Sequence, residues 1–306
     1  AALGGFLLSF DKVWAGVIAM TIATLDLAIC AYIFNNSLFT LFASGLFVLP
    51  FSIAVGRWFS DTKISNPFSW LVVAISGLAF AYIVFGAALK KAQAHARWLY
   101  VMGHALIGIT LLVMPFDYLA NYIQWHFTPA LISLGIGIGT YLLSFLLQHS
   151  GSHSTLTDIS KWLPFNLGKS IFLWPIGFLI PIWLAVAWTG YALPNLWLGA
   201  TLTGLGLTYI AIGQWLHKFA KEYRLPFHTF VYVLCTIGIL IAIPSNIKTT
   251  NADWYSLLSA LIITVTSTVV LAMLYNRIAE TIIASLLFIW VFQLSLQLFK
   301  TPLYTQ

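Results

Sequence analysis

Residues 70–91 read WLVVAISGLAFAYIVFGAALKK. One tryptophan opens the stretch, nineteen uncharged residues follow it, and two lysines close it. A membrane-spanning helix needs about 20 apolar residues to cross a hydrocarbon core of roughly 30 Å. Tryptophan settles at the lipid–water boundary, and lysine gathers on the cytoplasmic side. The stretch is therefore read as one complete crossing, with an anchor at each end.

Working outward, the same opening recurs. Trp14, Trp70, Trp125, Trp197 and Trp254 each begin a long apolar run, at spacings of 56, 55, 72 and 57 residues. Two runs of spanning length fit between successive tryptophans. The expected spans are about 13–34, 38–56, 69–89, 98–115, 127–147, 168–188, 195–215, 227–244, 254–275 and 279–299. The fold class predicted is an all-α polytopic transmembrane bundle of about ten spans, built from tandem hairpins of about 56 residues. A shift of 127 positions places Trp70 on Trp197, Gly77 on Gly204, Tyr82 on Tyr209, Gly86 on Gly213, Lys91 on Lys218 and Arg97 on Arg224. Ten identities fall within those 28 positions, of polar and aromatic as well as apolar type. The hairpins thus group in four-span units, with an insertion at 149–168. An even number of spans makes the units parallel.

Composition agrees. Charged residues make up 7% of the 306 and apolar types 60%, whereas a soluble domain carries roughly 25% charged residues. The runs lack the alternation of a β-barrel strand. The net charge of +6 is read as loop charge that sets topology and meets anionic lipid, with no nucleic-acid partner. Cys30 and Cys235 both fall inside spans, so neither a disulfide framework nor a metal motif follows. Residues 1–306 form one transmembrane domain, with successive hairpins at 13–68, 69–126, 127–194, 195–253 and 254–306. Residues 1–12 read as the tail of a preceding helix in a longer chain.

Loop charges orient it. Lys12, Arg57, Lys63, Lys248 and Lys300 lie on one side. Lys90, Lys91, Arg97, Lys161, Lys169, Lys218, Lys221, Arg224 and Arg277 lie on the other, which is therefore assigned to the cytoplasm. In its repeated interfacial Trp, span, basic turn and second span, the whole chain resembles large bacterial membrane proteins of unknown function that tile hairpins in tandem. That resemblance implies a multi-pass protein of the bacterial inner (plasma) membrane. Ten-span drug/metabolite transporters resemble two inverted five-span halves with both termini inside, and this chain departs from both features.

Few residues carry chemistry at depth. Asp26 sits near the centre of the first span, where a carboxylate costs several kcal/mol. It is a candidate for proton or cation handling in transport. The alternative is a protonated acid bonded to a Thr hydroxyl or a carbonyl in a helix interface. His104 lies about two turns inside the fourth span. It is a weak candidate for ligating haem or a chlorin, set against a cross-helix hydrogen bond; otherwise no cofactor or metal is expected. The basic turns Lys90, Lys91 and Arg97, and Lys218, Lys221 and Arg224, are topology anchors or docking points for lipid headgroups or an acidic partner. Gly135 and Gly139, and Gly199, Gly206 and Gly213, are spaced for close helix packing. Pro50 falls in the second span, and Pro175 and Pro181 fall in the sixth, each removing a backbone donor.

Phosphate-loop, HExxH, GxSxG and CxxC motifs are absent. Three readings follow. The first is a non-catalytic integral membrane scaffold or subunit, with lipids and other membrane proteins as partners. The second is a transporter of a neutral or lipophilic solute, using Asp26 and the kinked sixth span. A polar cavity for it would draw on Thr24, Ser133, Thr140, Thr201, Thr203 and Thr208. The third is a membrane enzyme acting on lipid-linked substrates, built around residues such as Asp117 or Asp253. The direction in which Asp26 points separates the first two.

Overall fold

A computed structural model of the chain describes residues 13–89, 92–120, 127–149, 170–243 and 251–300. Lys12, Lys90, Lys91, Trp125, most of the 149–168 insertion, Lys169, Pro244 and Lys248 lie outside the described residues. Within them helices dominate and no strand occurs. In order, α1 is Val13–Ile33, α2 Ser37–Asp61, α3 Pro67–Ala88, α4 Gln93–Ala120 and α5 Phe127–His149. Then come α6 Leu173–Gly190, α7 Leu198–His217, α8 Arg224–Ala242, α9 Asn251–Tyr275 and α10 Ile278–Lys300. Nine stretches of the described chain are helical, long and apolar enough to cross a membrane. The protein is an all-α polytopic membrane bundle.

The one long helix outside those nine is α7. It is 20 residues long, about 30 Å, so length is not its shortfall. Gly199, Gly204, Gly206, Gly213, Thr201, Thr203, Thr208 and Gln214 dilute its apolar content. Half of its residues are buried, and it packs against α6, α8 and α9. On its buried face, which carries Gly199, Thr203, Gly206 and Gly213, protein takes the place of lipid.

The helices end where the sequence allows a reversal. Asn35, Lys63, Asn66, Ala192 and Asn276 take left-handed backbone conformations between helices. Asparagine tolerates that region better than most residues. Asn36 then caps α2, its side chain accepting from the Leu38 N–H at 3.0 Å, and Pro67 starts α3 where its missing N–H is not needed.

Two compact units divide at Phe172 and Leu173. In the first, α1 pairs with α2 and α3 with α4, while α5 packs on α3. Leu78, Ala79 and Tyr82 of α3 meet Leu106 and Ile107 of α4 in its core. In the second, α7 pairs with α8 and α9 with α10. Its core joins Ala200, Ala242, Leu257, Ala260, Leu261, Leu294 and Leu298. Helix α5 belongs to the first unit and α6 to the second. The outer surfaces are apolar, with Leu112 and Phe116 each 70% exposed. In water such faces are association liabilities, whereas lipid solvates them.

Positions related by the 127-residue shift have similar surroundings. The Tyr82 hydroxyl donates to the Ser44 carbonyl at 2.7 Å, and that of Tyr209 to the Gly177 carbonyl at 2.9 Å. Ile83 and Ile210 are both buried. Gly86 lies against the Tyr100 ring and Gly213 against the His228 ring.

Candidate functional site

The buried stripe of α1 runs through Gly16, Val17, Met20, Thr24 and Ala31, the spacing of one helix face. Asp26 is two residues past Thr24, which turns it by about 200°. It is exposed on the outer flank, beside Ile22, Leu25 and Ile29, which are also exposed. It makes no hydrogen bond or ion pair with any described residue. Asp26 therefore points neither into an intramolecular helix interface nor into a cleft.

The other groups considered for a polar cavity turn back on their own helices. The hydroxyls of Thr140, Thr201, Thr203 and Thr208 donate to Ile136, Trp197, Ala200 and Gly204 carbonyls. Such back-bonding satisfies a hydroxyl without water. Thr24 does the same to Met20. The Ser133 hydroxyl is buried without a partner.

A cavity of about 580 Å³ does open in the first unit, among α1, α2, α3 and α4. Thr24, Ala28, Ala43, Phe47, Tyr82 and His95 are among its walls. It lies at the ends of these helices where α1 turns into α2 and α3 gives way to α4. His95 holds Thr40 across it, Nδ1 to Oγ1 at 2.6 Å. Asp26 is not among its walls, and α6 contributes none.

His104 is caged. Its ring stacks on Tyr141 at 5.5 Å and on Phe172 at 5.1 Å, and Nε2 meets the Ser144 hydroxyl at 3.3 Å. Nδ1 is buried without a partner. The described histidines scatter: His95 bonds Thr40, and His228 bonds the Tyr275 hydroxyl at 2.7 Å. Among the described residues no three His, Cys, Asp or Glu side chains converge as a metal requires.

The basic turn of the second unit divides by burial. Lys218 and Lys221 are exposed. Arg224 is half-buried, its guanidinium 4.9 Å over the Tyr275 ring, with that of Arg277 at 5.4 Å. Arg277 also reaches Glu280 at 3.4 Å, and the Tyr232 hydroxyl donates to the same carboxylate oxygen at 3.1 Å. Glu280 is buried. This cluster ties α8 to the turn between α9 and α10. Sequence reasoning passed over Tyr275 and Glu280; the one available signal was the three-residue spacing of Arg277 and Glu280. Arg97, in the first unit's basic turn, is half-buried. Asp117 is also buried, accepting from the Ser69 hydroxyl at 2.6 Å. Asp253 opens α9 and is half-buried.

The glycines fare differently from one another. A Cβ on Gly199 would stand 2.4 Å from the Gly238 carbonyl oxygen, and one on Gly213 would stand 2.5 Å from His228. On Gly206 it would make ordinary contact with Cys235 at 3.6 Å, and on Gly139 it would meet nothing within 4 Å. Gly135 is exposed.

These features define a multi-pass α-helical membrane protein. No protein-family model, curated protein or solved structure matches the chain.

Proposed function

We propose that the protein is a non-catalytic subunit or scaffold of a membrane assembly, and that the outer flank of α1 docks a helix of another membrane protein. The position of Asp26 carries this reading. A carboxylate exposed among Ile22, Leu25 and Ile29 at bilayer depth costs several kcal/mol if lipid surrounds it. A neighbouring helix that offers a lysine, arginine or hydroxyl donor removes the cost, because polar groups pair across helices in lipid. We place the chain in the bacterial inner membrane, with Lys218, Lys221 and Arg224 facing the cytoplasm and anionic headgroups. The matched surroundings of Tyr82 and Tyr209 support the four-span unit as a repeat.

The test places a photo-crosslinking residue at Ile29 and irradiates native membranes. A discrete adduct with a second membrane protein is expected, lost in Asp26→Leu and retained in part in Asp26→Asn, whose amide still hydrogen-bonds. Adduct formation indifferent to Asp26→Leu would remove the reading. Transport of a lipophilic solute is the competing reading and draws on the cavity of the first unit. Asp26 gives it no support, since it lies off that cavity.

A further inference from the structure

We propose that the cavity of the first unit binds a long-chain fatty acid, with the carboxylate at His95 and the tail between α1 and α2. This goes beyond the docking reading and does not depend on it. The volume of about 580 Å³ falls within the roughly 300–1,000 Å³ of small-molecule sites. Much of the space exists because alanines line it: Ala28, Ala31 and Ala43, with Phe47 and Leu99 completing an apolar wall.

The polar groups sort by depth. Those deeper in the wall are already spent: Thr24 donates to the Met20 carbonyl, Ser44 to that of Leu41, and Tyr82 to that of Ser44. They offer a ligand no free donor. Around the mouth stand Tyr32, Asn35 and His95, where the helices turn and the membrane surface lies. Thr24 is about 12 Å deeper than Tyr32 along α1. The site is therefore dry inside and supplied with donors at its rim, the profile of a linear amphiphile.

Thr40 decides what the head must be. Unlike Thr21 and Thr24, it makes no bond to its own helix. It meets His95 Nδ1 at 2.6 Å; with the Thr40 hydroxyl as the donor, the ring proton sits on Nε2 and makes that nitrogen a donor toward the cavity. Tyr32 and Asn35 add a hydroxyl and an amide to the same wall, and among the described residues no carboxylate lines the cavity to repel an anion. A head that only accepts, and does so twice, fits best, and the fatty carboxylate is that group.

The experiment uses the full chain purified in detergent and a diazirine analogue of palmitic acid. Photolabel is expected on peptides of α1 or α2. Palmitate should displace it about tenfold better than hexadecanol, the worth of a hydrogen bond to a charged acceptor. His95→Phe should erase that preference while hexadecanol competes as before. Ala28→Trp should fill the cavity and abolish labelling with an unchanged circular dichroism spectrum. The proposal is overturned by equal competition from palmitate and hexadecanol, or by stronger competition from a diacyl phosphatidylglycerol. It is also overturned if labelling persists in a folded Ala28→Trp chain. If Ala28→Trp does not fold, His95→Phe alone decides.

Discussion

Gly199 and Gly238 are the place where two backbones touch, each glycine's missing Cβ making room for the other's carbonyl. Adding a methyl group forces α7 and α8 apart. Gly199→Ala is expected to cost about 1–3 kcal/mol, read as a lowered melting temperature in detergent. Gly204→Ala, where a Cβ would meet nothing within 4 Å, should cost nothing and gain up to about 1 kcal/mol in helix propensity. A similar contrast governs the buried Ser69–Asp117 pair. Ser69→Ala strips a buried carboxylate of a 2.6 Å donor and should cost about 1–3 kcal/mol in the same melt; an unchanged melt would mean that the bond is dispensable. The sequence displayed Gly199, Gly206 and Gly213 as one stripe, yet the three differ in how near the facing atoms come. Spacing reveals which face a glycine lies on; the approach distance depends on the partner helix. Asp26 was visible as an anomaly for the same reason that its direction was not. Charge at depth is a local property, but the side it faces depends on which stripe of α1 the other helices bury.

Helix α6 carries its own defect and its repair comes from α7. Pro181 has no N–H, so the carbonyl four residues earlier, that of Gly177, loses its helical donor. The Tyr209 hydroxyl takes that place at 2.9 Å. Tyr209→Phe should therefore cost about 1–3 kcal/mol by orphaning a buried carbonyl. In a Pro181→Ala background the restored N–H serves Gly177, and the same substitution should cost less than about 1 kcal/mol. A double-mutant cycle of thermal melts measures the difference; equal costs in both backgrounds would refute the coupling. Proline inside the sixth span was evident from sequence, but its static repair required a tyrosine 28 positions away. Element boundaries were legible because tryptophans and basic turns punctuate the runs; the asparagine reversals emerged only with the backbone. Helix α7 was legible as a span of 195–215 with glycines spaced for packing. Gly199, Thr203, Gly206 and Gly213 are buried against other helices while Thr208 is exposed, a division that hydropathy alone does not reveal.

At the scale of the whole molecule, lipid as solvent was legible from composition, since so few charges cannot cover a water-exposed surface. The cavity was not legible, because Ala28, Ala31 and Ala43 are ordinary in any span and only their convergence makes a hollow. The His95–Thr40 pair spans 55 positions and has no spacing to recognise. Orientation is testable across the whole chain. In a protein with Cys30 and Cys235 replaced by alanine, Ser65→Cys should react with an impermeant maleimide in right-side-out vesicles. Ala220→Cys should react only after the vesicles are opened; the reverse pattern would invert the topology. The crossing at Gly199 and Gly238 also bears on how the molecule is made. A one-turn slip of α7 along α8 would bring Thr203 or Asn195 to a gap with space only for hydrogen. The pair thus has a single seating, recognised by shape and needing no polar guide. A newly threaded pair of this kind can lock before its neighbours arrive, so these two crossings can be set in register as they are made.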